Sequence, residues 1–435
     1  MSEIKLPEGW VWKTLTDLVG KRGVFCDGDW VESKDQDEKG EIRLIQLADI
    51  GDGSFRNKSN RFLTHQKAVE LRCTFLNNGD VLIARMPDPL GRACIFPLQE
   101  KSRYVTVVDV CIVRPAPDLV DNKLLTYWIN APQIRSEIDS LQSGSTRKRI
   151  SRKNLSIIRF PIPPIPIQHQ IVARIEELFS ELDAGVKELQ TALSRLKTYR
   201  RSLLQAAFSG TLNGTSQHWT KTKLGEVVDC LDHKRKPVSS KIRQTQHGDV
   251  PYYGANGQTG WINEYLFNED LVLVVEDETF TGREKPFSYK ISGKSWVNNH
   301  AHILKPKSKS VLNIDFLNYS LWYYPFLPLT TGTTGRKKLT KAALLNAPYI
   351  IPDLSTQTQI VSEIEARLSE ADAMEVTIRQ ELVRAENLRQ SILKRAFEGK
   401  LVASSVEQSK AENLVEVAEP SGPTYNGPAE QLSLF

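Results

Sequence analysis

QHQIVARIEELFSELDA begins at Gln168, and QTQIVSEIEARLSEADA begins at Gln357. The register between these two stretches holds without a gap over residues 147–212 and 336–401. Self-similarity at a fixed offset is the signature of an internal duplication, and chance periodicity of helical sequence rarely gives it. The chain is therefore predicted to contain two related halves.

Each copy of the repeat carries one apolar stripe. Apolar residues recur every three, four or seven positions from Ile171 to Leu203, and the pattern returns from Ile360 to Ile392. This spacing predicts an amphipathic helix of roughly 35 to 40 residues in each copy, about 50 to 60 Å long. The economical partner for one stripe is the other, so we expect an antiparallel pair with one module at each end. The alternative is that each stripe packs on its own module.

The sequence before each helix indicates a mixed α+β module. Short β-rich runs occupy residues 105–115 and 300–306, and helical stretches lie near 121–140 and 315–324. A proline-containing segment then marks where each long helix begins, because proline disfavours helix just before itself. The expected fold class is α+β, with two β-rich modules joined by two long antiparallel helices in a coiled coil and a pseudo-two-fold internal duplication.

The boundaries of these segments follow from the repeat and from the proline positions. The first module is predicted at 1–160, with its proline-rich segment and long helix at 161–212. The second module is predicted at 213–349, with its proline-rich segment and helix at 350–402. Residues 403–435 are predicted to be an acidic, flexible tail.

Composition excludes several classes of protein. The 435 residues are 40% hydrophobic and 25% charged, with no apolar run long enough to span a bilayer and no secretory h-region at the N-terminus. Five cysteines without CxxC spacing argue against a disulfide framework or a zinc ribbon. The net charge of +5 is compatible with a polyanion partner but equally with a soluble basic protein. A cytoplasmic protein without a membrane segment is expected.

A basic Gly/Ser/Thr loop precedes each proline-rich segment: SGSTRKRISRKNL (143–155) and TGTTGRKKLTKAAL (331–344). Amides, hydroxyls and cations in one loop suit phosphate oxygens, which fix register without reading bases. The alternative is a solvated turn. The predicted phosphate-binding residues are Arg147, Lys148, Arg149, Arg152, Lys153, Arg336, Lys337, Lys338 and Lys341.

Base readout needs side chains that donate and accept hydrogen bonds at base edges, and these usually lie on loops. Gly-rich turns with polar tips also occur in any β-rich domain, so each residue alone has a structural alternative. The candidates in the first module are Lys21, Arg22, Arg85 and Arg92. The candidates in the second module are Lys234, Arg235, Lys236, Asn256, Gln258, Glu276, Thr281 and Arg283.

A catalytic function finds little support in the sequence, which contains no Walker A motif, dinucleotide-binding GxGxxG, HExxH or GxSxG. His300 and His302 alternate on a predicted strand and would supply half a metal site, but they are interpreted as strand residues. The acidic run at 276–278 with Lys285 superficially resembles a metal nuclease, although its spacing is wrong. No catalytic residue and no metal site is predicted.

The tandem order of module, basic loop, proline-rich segment, QxQIVxxIE helix and AFSGTL or AFEGKL ending resembles the specificity subunits of type I restriction-modification enzymes. The resemblance covers residues 10–402. It implies two target recognition domains that read the halves of a bipartite DNA site, while the helices set the gap. It also implies assembly with two modification subunits that bind S-adenosylmethionine and methylate adenine, and with two restriction subunits that use ATP and Mg²⁺, so this chain would hold no cofactor.

Two other functions remain open on the residues alone: a free-standing sequence-specific DNA-binding regulator, and a nuclease with an unrecognised site. The C-terminal residues Gln431–Phe435 read QLSLF, which resembles the peptide that bacterial proteins use to dock on the replication sliding clamp. Clamp binding is one prediction for this end, and packing on a partner subunit is the other.

Overall fold

A computed structural model describes residues 6–87, 89–100, 103–144, 147–211, 219–245, 248–278, 280, 283–332 and 337–402. The chain divides into two compact units. One comprises residues 1–187 and 382–435, and the other comprises residues 188–381. Each unit therefore contains one β-rich module and a part of both long helices.

The first module is built on two larger sheets and one two-stranded sheet. Its strands are β1 (Val11–Thr14), β2 (Val24–Asp27), β3 (Ile42–Ile45), β4 (Arg61–Leu63), β5 (Val81–Ala84), β6 (Ala93–Ile95), β7 (Tyr104–Thr106), β8 (Val110–Arg114) and β9 (Arg159–Ile162). Its helices are α1 (Leu15–Val19), α2 (His65–Glu70), α3 (Asn122–Asn130), α4 (Pro132–Ser140) and α5 (Arg152–Ser156), followed by the long helix α6 (Ile165–Phe208). One larger sheet has the order β2-β8-β5-β6, and the other has the order β4-β3-β7 with β3 and β7 parallel. The strands β1 and β9 form the two-stranded sheet, which is antiparallel.

The second module repeats this plan. Its strands are β10 (Thr220–Lys223), β11 (Val228–Cys230), β12 (Val250–Gly254), β13 (Gly257–Ile262), β14 (Phe267–Asn268), β15 (Leu271–Val275), β16 (Asp277–Glu278), β17 (Ser288–Ile291), β18 (Lys294–Val297), β19 (Ala301–Pro306), β20 (Lys337–Lys338) and β21 (Pro348–Ile351). Its helices are α7 (Leu224–Val227), α8 (Ser240–Thr245), α9 (Ile314–Leu321) and α10 (Lys341–Leu345), followed by the long helix α11 (Leu354–Phe397). The larger sheets have the orders β11-β19-β15-β17 and β13-β12-β18-β14, again with one parallel pair, β12 and β18. Two antiparallel pairs, β10 with β21 and β16 with β20, form two-stranded sheets.

The β-rich run at 105–115 forms two strands where the sequence suggested one. A turn at 107–109 separates β7 from β8, closed by a bond from the Val110 N–H to the Val107 carbonyl (2.9 Å). The two strands then join different sheets. A continuous apolar run does not reveal such a turn, because both strands are buried and neither alternates.

The predicted antiparallel pairing of the long helices is confirmed within each unit. In the unit of the first module, Asp183 of α6 contacts Arg389 of α11, while the earlier residue Ile171 shares a core with the later residue Phe397. In the other unit, Arg200 of α6 contacts Asp372 (2.6 Å) and Glu375 (2.6 Å) of α11. Both helix segments also pack on the module of their own unit. Each apolar stripe therefore contacts the other helix and also a module, as each of the two alternatives predicts in part.

A buried glutamine ties each module to its long helix. The Gln168 amide donates to the Pro163 carbonyl (2.8 Å) and the Leu119 carbonyl (3.2 Å), and its oxygen accepts from the Asp121 N–H (2.8 Å). Asp121 is the residue that caps α3. The glutamine therefore joins the first turn of the long helix to the start of a module helix.

Gln357 makes the same three bonds in the second module. It donates to the carbonyls of Pro352 (2.9 Å) and Val311 (2.8 Å) and accepts from the N–H of Asn313 (2.8 Å), which caps α9. Both glutamine side chains are fully buried. Buried carbonyls and N–H groups need partners, and one amide supplies two donors and an acceptor at once.

We predict that Gln168→Ala or Gln357→Ala lowers the free energy of unfolding of its own unit by about 2 to 3 kcal/mol, because each change leaves buried backbone groups without partners. Urea unfolding followed by tryptophan fluorescence measures the effect. The matched controls are Gln170→Ala and Gln359→Ala, since these glutamines lie two residues further along the same helices and are exposed. Equal stability of the control and test variants would contradict the proposed tie.

Candidate nucleic-acid interface

The two basic loops are hairpins closed by the same backbone pairing. Ser143 and Arg149 exchange N–H to carbonyl bonds of 2.8 Å each in the first module. Thr331 and Lys338 do so at 2.9 and 2.8 Å in the second module. We call these the basic hairpins, 143–149 and 331–338; their tips at 145–146 and 333–336, including the predicted phosphate ligand Arg336, lie outside the described residues.

Each basic hairpin is fixed to the residue that follows a central strand. The buried Ile150 donates its N–H to the carbonyl of Arg85 (3.1 Å), just after β5. The buried Leu339 donates to the carbonyl of Glu276 (2.8 Å), just after β15. Arg85 and Glu276 therefore occupy equivalent positions in the two modules, with opposite charges.

A second loop, which we call the strand-leading turn, meets the same position. It comprises residues 107–109 before β8 and 298–300 before β19. The Arg85 N–H donates to the Asp109 carbonyl (2.9 Å), and the Glu276 N–H donates to the His300 carbonyl (3.1 Å). The basic hairpin and the strand-leading turn thus converge at one end of each module, the end away from the glutamine tie.

In the first module a buried arginine holds these loops. Arg85 is 4% exposed, forms an ion pair with Asp27 (2.7 Å) and donates to the Val108 carbonyl (2.8 Å) in the strand-leading turn. Asp109 of the same turn pairs with Arg149 of the basic hairpin at 3.2 Å. Buried charge is tolerated where it is paired and hydrogen-bonded, and here the pairing also sets the positions of two loops.

In the second module a larger ionic network fills the same place. Glu276 accepts from Arg235 and pairs with Lys338 of the basic hairpin (3.0 Å). Arg235 also pairs with Asp232 (3.3 Å). The buried His302 places its Nδ1 2.6 Å from Asp232 and its Nε2 2.8 Å from the Leu339 carbonyl.

The network controls the ionisation of its carboxylates. Burial alone would raise the pKa of Asp232, but the hydrogen bond and charge of His302, the Ile303 N–H and the Arg235 charge together lower that pKa to about 2. For Glu276, burial opposes ionisation, and the hydrogen bonds from Arg235 and Lys338 outweigh it and lower the pKa. Both carboxylates are therefore anions at neutral pH.

The structure corrects four of the base-reading predictions. Arg92 is 4% exposed, and its guanidinium donates to four backbone carbonyl oxygens, those of Leu47, Ile50, Met86 and Pro89. Arg85 is buried on Asp27, and Arg235 and Glu276 neutralise each other inside the second module. These four side chains hold loops in place and do not offer their polar atoms to a base.

The other predicted residues lie at the surface, except for Thr281 and Arg336, which fall outside the described residues. Arg283 lies beside Asn256, with 2.8 Å between its Nη2 and the amide oxygen of that residue. The following predicted residues are exposed: Arg147, Lys148, Arg152, Lys153, Lys338, Lys341, Lys21, Arg22, Lys234, Lys236, Asn256 and Gln258. Arg149, Lys337 and Arg283 are partly exposed.

Sequence reasoning missed the residues that organise the site. His300 was predicted to be a strand residue, but it lies in the strand-leading turn with its side chain 50% exposed. Asp232, His302 and Asp27 were assigned no partner, because each contacts residues far away in the chain. A faint signal existed for His302 only, since its alternation with His300 pointed to a strand with one buried face.

Cys230, Asp232 and His302 place a sulfur, an oxygen and a nitrogen within 4.8 Å of one another. Both ring nitrogens of His302 already face oxygen acceptors, and burial raises the pKa of the Cys230 thiol to about 12. A neutral thiol beside a hydrogen-bonded ring favours an ionic network over metal ligation. Glu276 belongs to the same network, and its carboxylate is paired with Arg235 and Lys338. These pairings disfavour Glu276 as a metal ligand of a nuclease site.

Comparison with known proteins identifies the family. The family model for the type I restriction modification DNA specificity domain matches residues 7–191 and again residues 216–384. The chain belongs to this family. The two matches coincide with the two modules and the helix segments after them, as the internal duplication requires.

Two relatives align along nearly the whole chain, and a third aligns with about a third of it. The StySPI specificity subunit of Salmonella potsdam and the EcoKI specificity subunit of Escherichia coli K12 are each 24% identical, over 95% of this chain and 93% of the relative. A putative type I specificity subunit of Haemophilus influenzae is 37% identical over 36% of this chain and 38% of the relative.

Two solved structures share the fold. A chain from a study of type I R-M complex assembly and conformational transition aligns with a TM-score of 0.67 at 19% identity, over 91% of this chain and 99% of that chain. The HsdS subunit of Thermoanaerobacter tengcongensis aligns with a TM-score of 0.54 at 18% identity, over 92% and 99%.

As a type I specificity protein, the chain recognises DNA sequence. The stand-alone regulator and the nuclease considered from the residues are not favoured by these relatives. The ends of the modules that carry the basic hairpins are the candidate DNA-facing surfaces.

The ionic network predicts a pH dependence. Because the folded pKa of Asp232 is below its unfolded value, the stabilisation it provides is present above about pH 4 and is lost as the pH falls toward about 2. We expect Asp232→Asn to cost about 2 kcal/mol of unfolding free energy at pH 6. This difference from the wild type should shrink as the pH falls from about 4 to about 2 in urea titrations.

Glu264→Gln is a control, since Glu264 is an exposed carboxylate of the same module. A pH-independent difference for Asp232→Asn would refute the role of the Asp232 charge.

Proposed function

We propose that each module binds one half of a bipartite DNA site through the surface formed by its basic hairpin and strand-leading turn. The observation that carries this proposal is the repetition of one arrangement in both modules. In each, an exposed basic loop is held beside a polar turn by a buried charge. Support also comes from chemistry, since exposed Lys and Arg suit phosphates and polar turns suit base edges.

The duplication supports a division of labour within each surface. The backbone pairing of the basic hairpin is the same in both modules, and its cations neutralise phosphates whatever the sequence. The charges behind the hairpin differ, with Arg85 in one module and Glu276 in the other. We infer that the hairpin supplies affinity and register, while the turns around it supply the difference between the two half-sites.

We further propose that this chain is a non-catalytic subunit of a cytoplasmic complex. Two modification subunits would bind S-adenosylmethionine and methylate adenine, and two restriction subunits would use ATP and Mg²⁺. Support comes from the family and from exposed apolar side chains on α11, at Met374, Val376, Val383 and Leu388, which suit a protein partner.

Within the described residues, every helix is too short or too polar to cross a membrane.

The tail at 403–435 lies outside the described residues, so clamp binding through Gln431–Phe435 stays a prediction. The packing of this end on a partner subunit stays the alternative.

We predict that Lys337→Gln combined with Lys341→Gln weakens binding to specific and non-specific duplexes by similar factors. The slope of log K against log salt should fall in magnitude by about 0.9 for each phosphate that the variant no longer neutralises. Fluorescence anisotropy with labelled duplexes at several salt concentrations measures both effects on the complex with modification subunits. Arg147→Gln with Lys148→Gln is the equivalent test for the first module.

The matched control is Lys221→Gln combined with Lys309→Gln. Both lysines are exposed in the second module but lie at its helix side, on β10 and after the far end of β19. A control that loses as much salt dependence as the test variant would move the DNA-facing surface elsewhere. A test variant that loses affinity for only one sequence would assign the hairpin to base reading.

A second proposal concerns the helices, which we infer set the gap between the half-sites. A seven-residue helical block inserted after Ala184, with a matching block before Arg389, preserves their pairing because Asp183 contacts Arg389. Seven residues add about 10 Å of helix, equivalent to about three base pairs. Methylome sequencing is expected to show a changed gap and two unchanged half-sites. An altered half-site with the original gap would refute the proposal.

A further inference from the structure

His300 and Asp277 form an exposed pair at the edge of the proposed DNA-facing surface. The His300 Nδ1 lies 2.8 Å from Oδ1 and 3.0 Å from Oδ2 of Asp277. The side chains are 50% and 37% exposed, respectively. Since a carboxylate only accepts hydrogen bonds, Nδ1 carries the proton toward Asp277, and Nε2 is the other ring nitrogen with which the side chain can contact a ligand.

The backbone that carries His300 is held from three sides. The Asn298 amide oxygen accepts from the His300 N–H (2.8 Å), and the His300 carbonyl accepts from the Glu276 N–H (3.1 Å). Asn298 itself donates its N–H to the Tyr253 carbonyl (3.0 Å). The ring is therefore oriented by Asp277 on a turn that is already rigid, which is the preparation that a specific contact needs.

Asp277 is placed by the basic hairpin. It lies on β16, which pairs with β20, and Lys338 is its partner across the strands. A phosphate contact by the hairpin would thus bring the His300 ring to the DNA in a fixed register. Phosphate contacts position a protein, and side chains beside them specify the base.

The equivalent position in the first module has different chemistry. Asp109 occupies the place of His300, since its carbonyl accepts from Arg85 as that of His300 accepts from Glu276. The Asp109 side chain pairs with Arg149 of the basic hairpin, so at this position the two modules present a carboxylate and an imidazole. The two modules share a backbone arrangement at this position but carry different polar side chains. Such a difference is expected between two modules that recognise different half-sites.

We propose that His300 is a specificity-determining residue that contacts a base edge in the major groove through Nε2, with Asp277 as its positioning residue. A neutral ring accepts from the exocyclic amine of adenine or cytosine, and a protonated ring donates to N7 or O6 of guanine. The inference rests on the proposed function of the basic hairpin. It adds one base position, in the half-site that the second module reads.

The test is methylome sequencing of a host whose specificity gene encodes His300→Ala, Asp277→Ala or both changes. Each single variant is expected to relax discrimination at the same one base position, by about five- to a hundredfold. The double variant should relax it no further, because the two residues act as one unit. The other half-site and the gap should stay unchanged.

His169→Ala is the matched control, since His169 is also an exposed histidine near an aspartate, with 3.9 Å between its Nε2 and Asp121, but it lies on α6. Co-purification with the modification subunits and the urea midpoint show that each variant is folded. The proposal is overturned if the motif of both single variants is unchanged, or if they relax different positions. It is also overturned if the loss of discrimination in the double variant equals the sum of the losses in the two single variants, because two residues that act as one unit would not add.

Lys337→Gln with Lys341→Gln separates this result from the proposed function. If the hairpin variant loses methylation while His300→Ala keeps the full motif, the DNA-facing surface stands and His300 is not its reader. If the hairpin variant keeps wild-type affinity and salt dependence, the surface itself is misplaced.

Discussion

One buried glutamine amide in each module fixes the orientation of the long helix on that module, and the rest of the module is arranged relative to this helix. Gln168 and Gln357 each join a carbonyl before the long helix, a carbonyl of the preceding loop and the N–H of a helix cap. Three bonds from one rigid group leave little freedom to rotate the helix on its module. The tie lies after the far ends of β8 and β19, and the strand-leading turns lie before their near ends, so each strand connects the helix side of a module to its DNA-facing side.

The duplication and the long helices were predictable because their signals are local. A period of three to four residues sustained over forty positions is typical of a long amphipathic helix, and the offset between Gln168 and Gln357 needs only the chain itself. The basic hairpins were found for the same reason, since their charge lies within a dozen residues. The glutamines belong to the repeated motif, but the sequence assigns them no role, because their bonds reach Leu119 and Val311, which are 49 and 46 residues away in the chain.

The base-reading predictions were wrong where an arginine bonds to backbone carbonyls of its own module, as Arg85 and Arg92 do. Nothing in ARMPDPLGRA separates an arginine that donates to Leu47 and Ile50 from one that faces solvent. An arginine in such a loop can bond to the protein or face a base, and only the folded position of residues 47–50 decides between these two roles. The reverse error concerned His300, whose place in an apolar run suggested a strand, although Asn298 folds the backbone into a turn just before that strand begins.

The exchange of Arg85 for Glu276 constrains how such a surface can change. Glutamate at position 85 would face Asp27, and arginine at position 276 would face Arg235, so either change alone leaves like charges in a buried place. That cost is relieved only when the neighbours change too: Asp232, Arg235, His302 and Lys338 act as a group in the second module. Coupled residues of this kind are not additive, and single substitutions among them lose stability before they gain a new preference.

Exposed or partly exposed residues on the strand-leading turns can be replaced without leaving like charges in a buried place. Asp109 and His300 occupy one backbone position with different chemistry, and each is paired only at the surface. New specificity is therefore expected to arise by substitution in the turns or by replacement of a whole module, with the buried network inherited as a unit.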